Sequence, residues 1–397
     1  MSNIYWLWLA TRPGCTVRFL TRLLEQFATP EAVWKAVREE LSGFPRMNHI
    51  RLEALLDKDL TYANRIERDC REQDIQIVTW EDELYPAPLR QIADPPLVLY
   101  VRGTLPDFSS QLAISVVGTR KCTPYGLHAA RYFAGKLAQN GCIIVSGMAL
   151  GIDGAANQAA LDAGGMTIAV LGCGVDVCYP WQHEKLMQDM IHHGAVISEY
   201  PPGTEPRGRH FPIRNRIITG LSRGTLVVEA PKKSGALISA DLALEQGREV
   251  FAVPGDVNRP SCAGCNGLIR QGGAELVQEP SDILSHYERT DGKRTAVRQI
   301  RKKTERQELR LASQTQLQRS AQPEQLPLVY QNRTLDVSPD ERTVWLAVHN
   351  GHETVDAIVE ETGLPTAVVL TALTMLEVNA YVIITGSGYR PAADIQL

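Results

Sequence analysis

The chain has 397 residues, 44% hydrophobic and 22% charged, and 41 Lys and Arg against 45 Asp and Glu give a net charge of −4. That length calls for two or three domains with well-packed cores. That charge excludes a protein that coats nucleic acid through bulk positive potential, so any such contact has to come from a local basic patch.

Residues 1–75 read as an all-α segment of short helices. Apolar residues recur at helical spacing over Val17–Phe27, Pro30 opens a second helix running to Val37, and Leu41-Ser-Gly-Phe44-Pro45 makes a turn. The apolar start Ile4–Ala10 is too short to cross a membrane, lacks a basic leader and soon meets Pro13, so a cytoplasmic protein with no membrane partner is expected. Gly14 and the Phe27-Ala-Thr-Pro-Glu31 turn are similar to those of a helix-hairpin-helix or SAM-like module. Such a module either holds a DNA backbone through loop amides or simply packs against other protein.

Over residues 76–287 the pattern changes. Apolar, β-branched runs at Ile114–Val117, Ile143–Val145, Thr167–Leu171, Ala195–Ser198, Thr225–Glu229 and Glu249–Val253 alternate with helical stretches at Tyr125–Gln139, Ile152–Ala163 and Ala236–Gln246. Alternation of this kind predicts an α/β domain, a Rossmann-like doubly wound parallel sheet. Residues 288–334 are rich in Arg, Lys, Gln, Glu and Ser and read as a flexible linker, with a basic cluster at Arg298–Arg306.

Order resumes over residues 335–397. Pro339–Val348, Thr354–Glu361 and Pro365–Leu376 are predicted helices, and Tyr381-Val-Ile-Ile-Thr385 followed by Gly386-Ser-Gly388 reads as a hairpin wing. The whole is similar to a winged helix, a fold that usually sets its third helix in a major groove. That helix, however, has no Lys or Arg, and beyond Pro339 the basic side chains are Arg342 and Arg390. Phosphate contact supplies most nonspecific affinity, so a protein-contact role is expected of this domain.

The strand ends carry the chemistry. The first strand ends Val117-Gly118-Thr119-Arg120-Lys121, and the second ends Ser146-Gly147-Met148-Ala149-Leu150-Gly151-Ile152-Asp153-Gly154, with glycines that admit close approach of a phosphate to backbone. Asp153 is expected to be a helix N-cap. Tyr179-Pro180-Trp181 gives an aromatic loop that either stacks on a base or packs. Phe211-Pro212-Ile213-Arg214-Asn215-Arg216 opens a helix, and Lys232-Lys233-Ser234-Gly235 follows the strand ending at Glu229. Ligands of open α/β sheets bind outside the carboxyl ends of the strands, where helix N-termini favour anions. Arg120, Arg209, Arg214, Arg216, Lys232 and Lys233 are therefore expected to gather into one phosphate site. The G-x-G-x-x-G and G-x-x-x-x-G-K-[ST] patterns are absent, so no nucleotide cofactor is expected and a polymer is the better ligand. Neither G-x-S-x-G nor H-E-x-x-H occurs, His192-His193 reads as an exposed helix end, and Cys262-Ala-Gly-Cys265 lacks a second pair, so neither catalysis nor a metal is expected.

These motifs together resemble the DNA-processing protein A family (DprA, also called Smf). The resemblance rests on Val117-Gly-Thr-Arg120, Ser146–Gly154, Ile197-Ser-Glu-Tyr-Pro-Pro-Gly203, Phe211–Ile218, Lys233-Ser-Gly235, Pro254-Gly255 and Asn266–Ala274. It implies a homodimeric single-stranded-DNA-binding protein, not an enzyme, that loads the RecA recombinase during transformation or recombination. It also implies that Arg120 and Lys233 are the principal phosphate contacts, with Gly118, Thr119, Ser146, Gly147, Asn215, Ser234 and Gly235 shaping the groove. Asn157 stands where family members often carry a histidine. A second, weaker likeness is that of Ser222-Arg-Gly-Thr-Leu-Val-Val-Glu229 to the glycine-rich loop of nucleoside-monophosphate phosphoribohydrolases; there Glu229 would be catalytic, or else only cap or pair with Arg216.

Overall fold

The computed structural model of the chain describes residues 3–291, 333–334, 337–378, 381–385, 388–391 and 395–396. They fall in two compact units, one within residues 1–311 and the other within 312–397. In the first unit six helices come before the sheet: α1 (Ile4–Ala10), α2 (Val17–Phe27), α3 (Pro30–Lys35), α4 (Arg38–Ser42), α5 (His49–Leu56) and α6 (Thr61–Glu72). The second predicted helix stops at Lys35, short of Val37. Ala36 and Val37 are extended, and the Glu40 carboxylate accepts from the Val37 N–H at 2.9 Å to start α4.

Nine strands follow. They are β1 (Gln76–Thr79), β2 (Val98–Gly103), β3 (Ala113–Val117), β4 (Ile143–Ser146), β5 (Thr167–Val170), β6 (Ala195–Ser198), β7 (Gly224–Val227), β8 (Glu249–Ala252) and β9 (Glu275–Leu276). Between and after them lie α7 (Pro124–Gln139), α8 (Ile152–Asp162), α9 (Glu184–His193), α10 (His210–Leu221), α11 (Gly235–Glu245), α12 (Ala263–Arg270) and α13 (Pro280–Asp291). The strands form one sheet in the order β1-β2-β6-β5-β4-β3-β7-β8-β9. From β3 the chain winds outward through β4 and β5 to β6, then returns to lay β7, β8 and β9 on the other side of β3. The reversal therefore falls between β3 and β7, where ligand sites of such sheets form.

The sheet from β6 to β9 is parallel, as its strand pattern predicts. The pattern predicts neither β1 nor β2. β2 pairs antiparallel with both β1 and β6, so the sheet is mixed at one edge. Side chains alternate across it. Ala113 and Val117 of β3 pack with Ile217, Ile218 and Leu221 of α10 and Ala236 and Ala240 of α11, whereas Ile114 and Val116 pack with Phe133 of α7 and Ala156 of α8.

The N-terminal helices share their core with the sheet. Leu7, Trp8 and Leu9 of α1 join Leu20, Leu23, Ile66, Tyr100 of β2 and Met187 and Met190 of α9 in one cluster. Trp8 is fully buried at its centre, its indole N–H donating to the Asp57 carbonyl at 3.0 Å.

The expected linker, residues 288–334, begins inside α13, and its residues 292–332 lie outside the described residues. In the second unit α14 (Pro339–His349), α15 (Val355–Thr362) and α16 (Thr366–Val378) lead into an antiparallel pair, β10 (Val382–Thr385) and β11 (Gly388–Pro391). Ser338 and Glu341 form a capping box on α14, and Gly363 ends α15 with φ of 66° in the left-handed region. Trp345, Ile358, Leu373 and Leu376 fill the core. Gly386 and Ser387 of the expected wing turn lie outside the described residues.

Because Trp8 sits in a core common to helices and sheet, Trp8→Ala is expected to destabilise the first unit by about 3–5 kcal/mol, seen as a lowered urea midpoint. A helical segment folding on its own would instead leave the midpoint of the sheet's transition unmoved.

Candidate nucleic-acid interface

Three loops and one helix meet at the carboxyl ends of β3, β4 and β7. The β3–α7 loop supplies Gly118, Thr119, Arg120 and Lys121. Its course is set by Glu229, just past β7, whose carbonyl accepts from the Thr119 N–H at 2.8 Å and whose Oε2 accepts from the Thr123 N–H at 2.9 Å. The β7–α11 loop supplies Lys233, Ser234 and Gly235. Ser234 caps α11 by accepting from the Ala236 N–H. Between these loops lies a cleft of about 670 Å³.

Helix α10 forms the opposite wall, and one buried arginine fixes it there. Arg214 is 4% exposed. Its Nη1 donates to the Val170 carbonyl at the end of β5 and to the Gly147 carbonyl after β4, the latter at 3.1 Å, while Nε donates to Asn215 Oδ1 at 3.3 Å. Asp153, in the first turn of α8, accepts from the Gly147 N–H at 3.1 Å and supplies the countercharge. Burial lowers the Arg214 pKa to about 10 and raises that of Asp153, each opposed by the charge of the other. A Cβ on Gly147 would lie 2.6 Å from Asp153 Oδ2 and 2.7 Å from both terminal nitrogens of Arg214, so only glycine fits. Asp153 is thus the partner of a buried cation; the N-cap of α8 is Gly151.

Of the residues expected at the site, Gly118, Thr119, Arg120, Arg214, Asn215, Lys233, Ser234 and Gly235 line the cleft. Gly147 borders a small recess beside it, next to Arg120 and Tyr179. Ser146 is fully buried and donates to the Val116 carbonyl at 2.6 Å, tying β4 to β3. Arg216 does not reach the cleft. It points to the other side of α10, with Nη2 and Nη1 at 2.5 and 3.0 Å from Oε2 and Oε1 of Glu199. Arg209 and Lys232 are exposed and also lie outside the cleft lining. Glu229 is buried and turned toward Thr123, so it does not pair with Arg216. Gly118 opens space for protein rather than ligand: a Cβ there would strike Ile152.

Sequence reasoning left Phe211 out of the site. The Arg120 guanidinium lies 5.1 Å from the Phe211 ring centroid, and Phe211 stacks on Tyr179 at 5.4 Å and 27°. Tyr179 is 39% exposed, so the aromatic loop presents a ring to the cleft beside a cation, while Trp181 is 76% exposed and outside the lining. The missing signal was helical phase. Phe211, Arg214, Asn215 and Ile218 follow the i, i+3, i+4, i+7 spacing of one face, and residues two apart cannot share it.

The family model for DNA recombination-mediator protein A matches residues 76–288. The chain belongs to that family. The model of its winged helix domain matches residues 330–383. The chain is 44% identical over 214 residues to the DNA processing protein DprA of Bacillus subtilis, covering 54% of this chain and 72% of the relative. It is 38% identical over 289 residues to the Smf protein of Synechocystis, covering 72% of each. Among solved structures, that of DNA processing protein A from Streptococcus pneumoniae is similar with a TM-score of 0.63 and 35% identity, over 72% of this chain and 98% of that one. The recombination-mediator family thus accounts for both the α/β sheet and the winged helix. Among the described residues no helix is long and apolar enough to cross a membrane.

Asp153→Ala would leave the Arg214 charge buried without its countercharge, an arrangement that costs about 3–5 kcal/mol. Chemical denaturation should show a loss of that order. A loss under about 1 kcal/mol would mean that the two carbonyls satisfy the guanidinium alone.

Proposed function

We propose that this cleft binds single-stranded DNA and that the protein, as a homodimer, hands the bound strand to the RecA recombinase. The observation that carries the reading is the placement of Arg120 and Lys233. Both are exposed, neither is in an ion pair among the described residues, and they border one cleft at the point where the strand order reverses. Exposed cations without partners are free to neutralise phosphates. The Tyr179 ring beside Arg120 favours a single strand over a duplex, because only unpaired bases offer their faces for stacking. The N-terminus of α11 opens on the cleft at Ser234 and Gly235, and its dipole favours an anionic ligand.

Arg120→Ala and Lys233→Ala should each weaken binding to a single-stranded oligonucleotide without unfolding the protein, since both side chains lie in exposed loops. Each should also reduce the slope of log K against log salt by about 0.7. An unchanged slope and affinity in the double variant would remove the cleft from DNA binding.

The rest of the reading concerns partners. A few cations per protomer grip a short stretch of strand weakly, and two linked clefts raise apparent affinity through effective concentration without new contacts. With no ATP-binding motif in the sequence, the chain acts on recombination by delivering DNA to a protein that has one, and the family resemblance names RecA. All eight cysteines are free, in keeping with a reducing cytoplasm. The protein should accelerate RecA filament formation on strands already coated with single-strand-binding protein. If it does not, and it sediments as a monomer at micromolar concentration, the loading role fails while the DNA-binding cleft can stand.

A further inference from the structure

A second cleft, of about 740 Å³, lies on the far side of α10. Its walls are the segment Glu199–Pro201 just past β6, the outer side of α10, and the helical segment through Thr16, the N-cap of α2, Arg18 of α2 and Tyr62 of α6. It therefore opens at the same carboxyl edge as the first cleft, and Pro212 lines both. The N-terminal turn of α10 is the ridge between them.

The chemistry of the two clefts differs. The first presents Arg120 and Lys233, neither of them in an ion pair among the described residues. In the second, Arg216 is paired with Glu199, with only 11% and 12% of those side chains exposed, and the other charged lining residues are one cation, Arg18, and one carboxylate, Asp94. The formal charges of this lining sum to zero, unlike those of the first cleft. It does present apolar faces: Tyr62 is 48% exposed and Ile213 is 49% exposed. Neutral walls with an exposed aromatic ring suit the flat, weakly polar surface of a nucleobase better than its phosphate.

We propose that the second cleft is a base-binding subsite for the same DNA strand, which crosses the ridge at Pro212 after leaving the Arg120–Lys233 cleft. This rests on the single-stranded DNA reading above. The strand's phosphates are held in the first cleft and its bases lodge against Tyr62 and Ile213 in the second. The helical segment then takes part in DNA binding through one tyrosine, without any hairpin contact to the backbone.

The test uses the full chain and two oligonucleotides, of about 6 and about 20 nucleotides, the shorter near the lower limit of single-strand site sizes. Tyr62→Ala and Ile213→Ala alter exposed positions. Each should weaken the longer oligonucleotide at least about fivefold, the loss of one stacked base, and leave the shorter one unchanged. The salt slope should stay as in the unaltered protein, because no phosphate contact is removed. Replacing the terminal nucleotides of the longer strand with abasic ones should reproduce the loss, and Tyr62→Ala should then add nothing further. The proposal is overturned if both variants bind the longer strand as tightly as before, or if abasic substitution and Tyr62→Ala act additively. If instead neither oligonucleotide responds to Arg120→Ala and Lys233→Ala, it is the first cleft, not the second, whose assignment fails.

Discussion

The site depends on a guanidinium that cannot leave the interior. A charged group removed from water has to find fixed partners or it destabilises the fold. Arg214 finds them in two strand-end carbonyls, at Gly147 and Val170, and in the carboxylate of Asp153. Those contacts tie α10 to the ends of β4 and β5 and set its rotation about its own axis. Once that rotation is fixed, Phe211 and Asn215 face one cleft while Ile213 and Arg216 face the other. Gly147 is required because the pair occupies the space a side chain would fill. A buried charge is weak evidence of stability, but its bonds to fixed carbonyls hold this helix in one arrangement.

That constraint also sorts the cations. A chain with a net charge of −4 has no surplus positive potential to attract DNA at a distance. Seven basic residues reach this region in sequence, yet Arg214 has its countercharge in Asp153 and Arg216 is paired with Glu199. Arg209 and Lys232 stay outside the cleft lining. The field inside the cleft comes from Arg120, Lys121 and Lys233. A small set of exposed cations in a concave site concentrates potential locally while the rest of the surface remains neutral or acidic. The acidic winged helix fits the same division, since its α16 carries no Lys or Arg.

Much of this was legible in the sequence because burial on both faces writes long β-branched runs, and the six central strands follow them closely. Val98-Leu-Tyr-Val101 of β2 escapes the pattern because Pro95-Pro96 stand only one residue before it, and β1 because it is only half apolar. The glycines at strand ends are expected to admit a phosphate to the backbone, but the groups a Cβ would meet at Gly118 and Gly147 are protein side chains. Arg216 is expected at the same sheet edge as Arg214, although two residues rotate a helix by about 200° and send the side chains to opposite walls. What no local pattern shows is the contact between distant segments. Arg120 lies over Phe211, and that pairing exists only once β3 and α10 are folded against each other.

Glu229 shows the same limit from the opposite direction. A glutamate at a strand end, after a glycine-containing run, reads as a reactive group of an enzyme loop. In the structure its carboxylate is fully buried and braces the β3–α7 loop through the Thr123 N–H and hydroxyl, 106 residues away in sequence. Gly126 leaves it room, for a Cβ there would overlap Oε2. The same residue's carbonyl holds the Thr119 N–H, so the backbone on either side of Arg120 is anchored to one position. Lys233 follows four residues later on the same strand exit. The spacing between Arg120 and Lys233 is thus governed by a residue that does not line the cleft, and its carboxylate is turned away from that cleft toward Thr123.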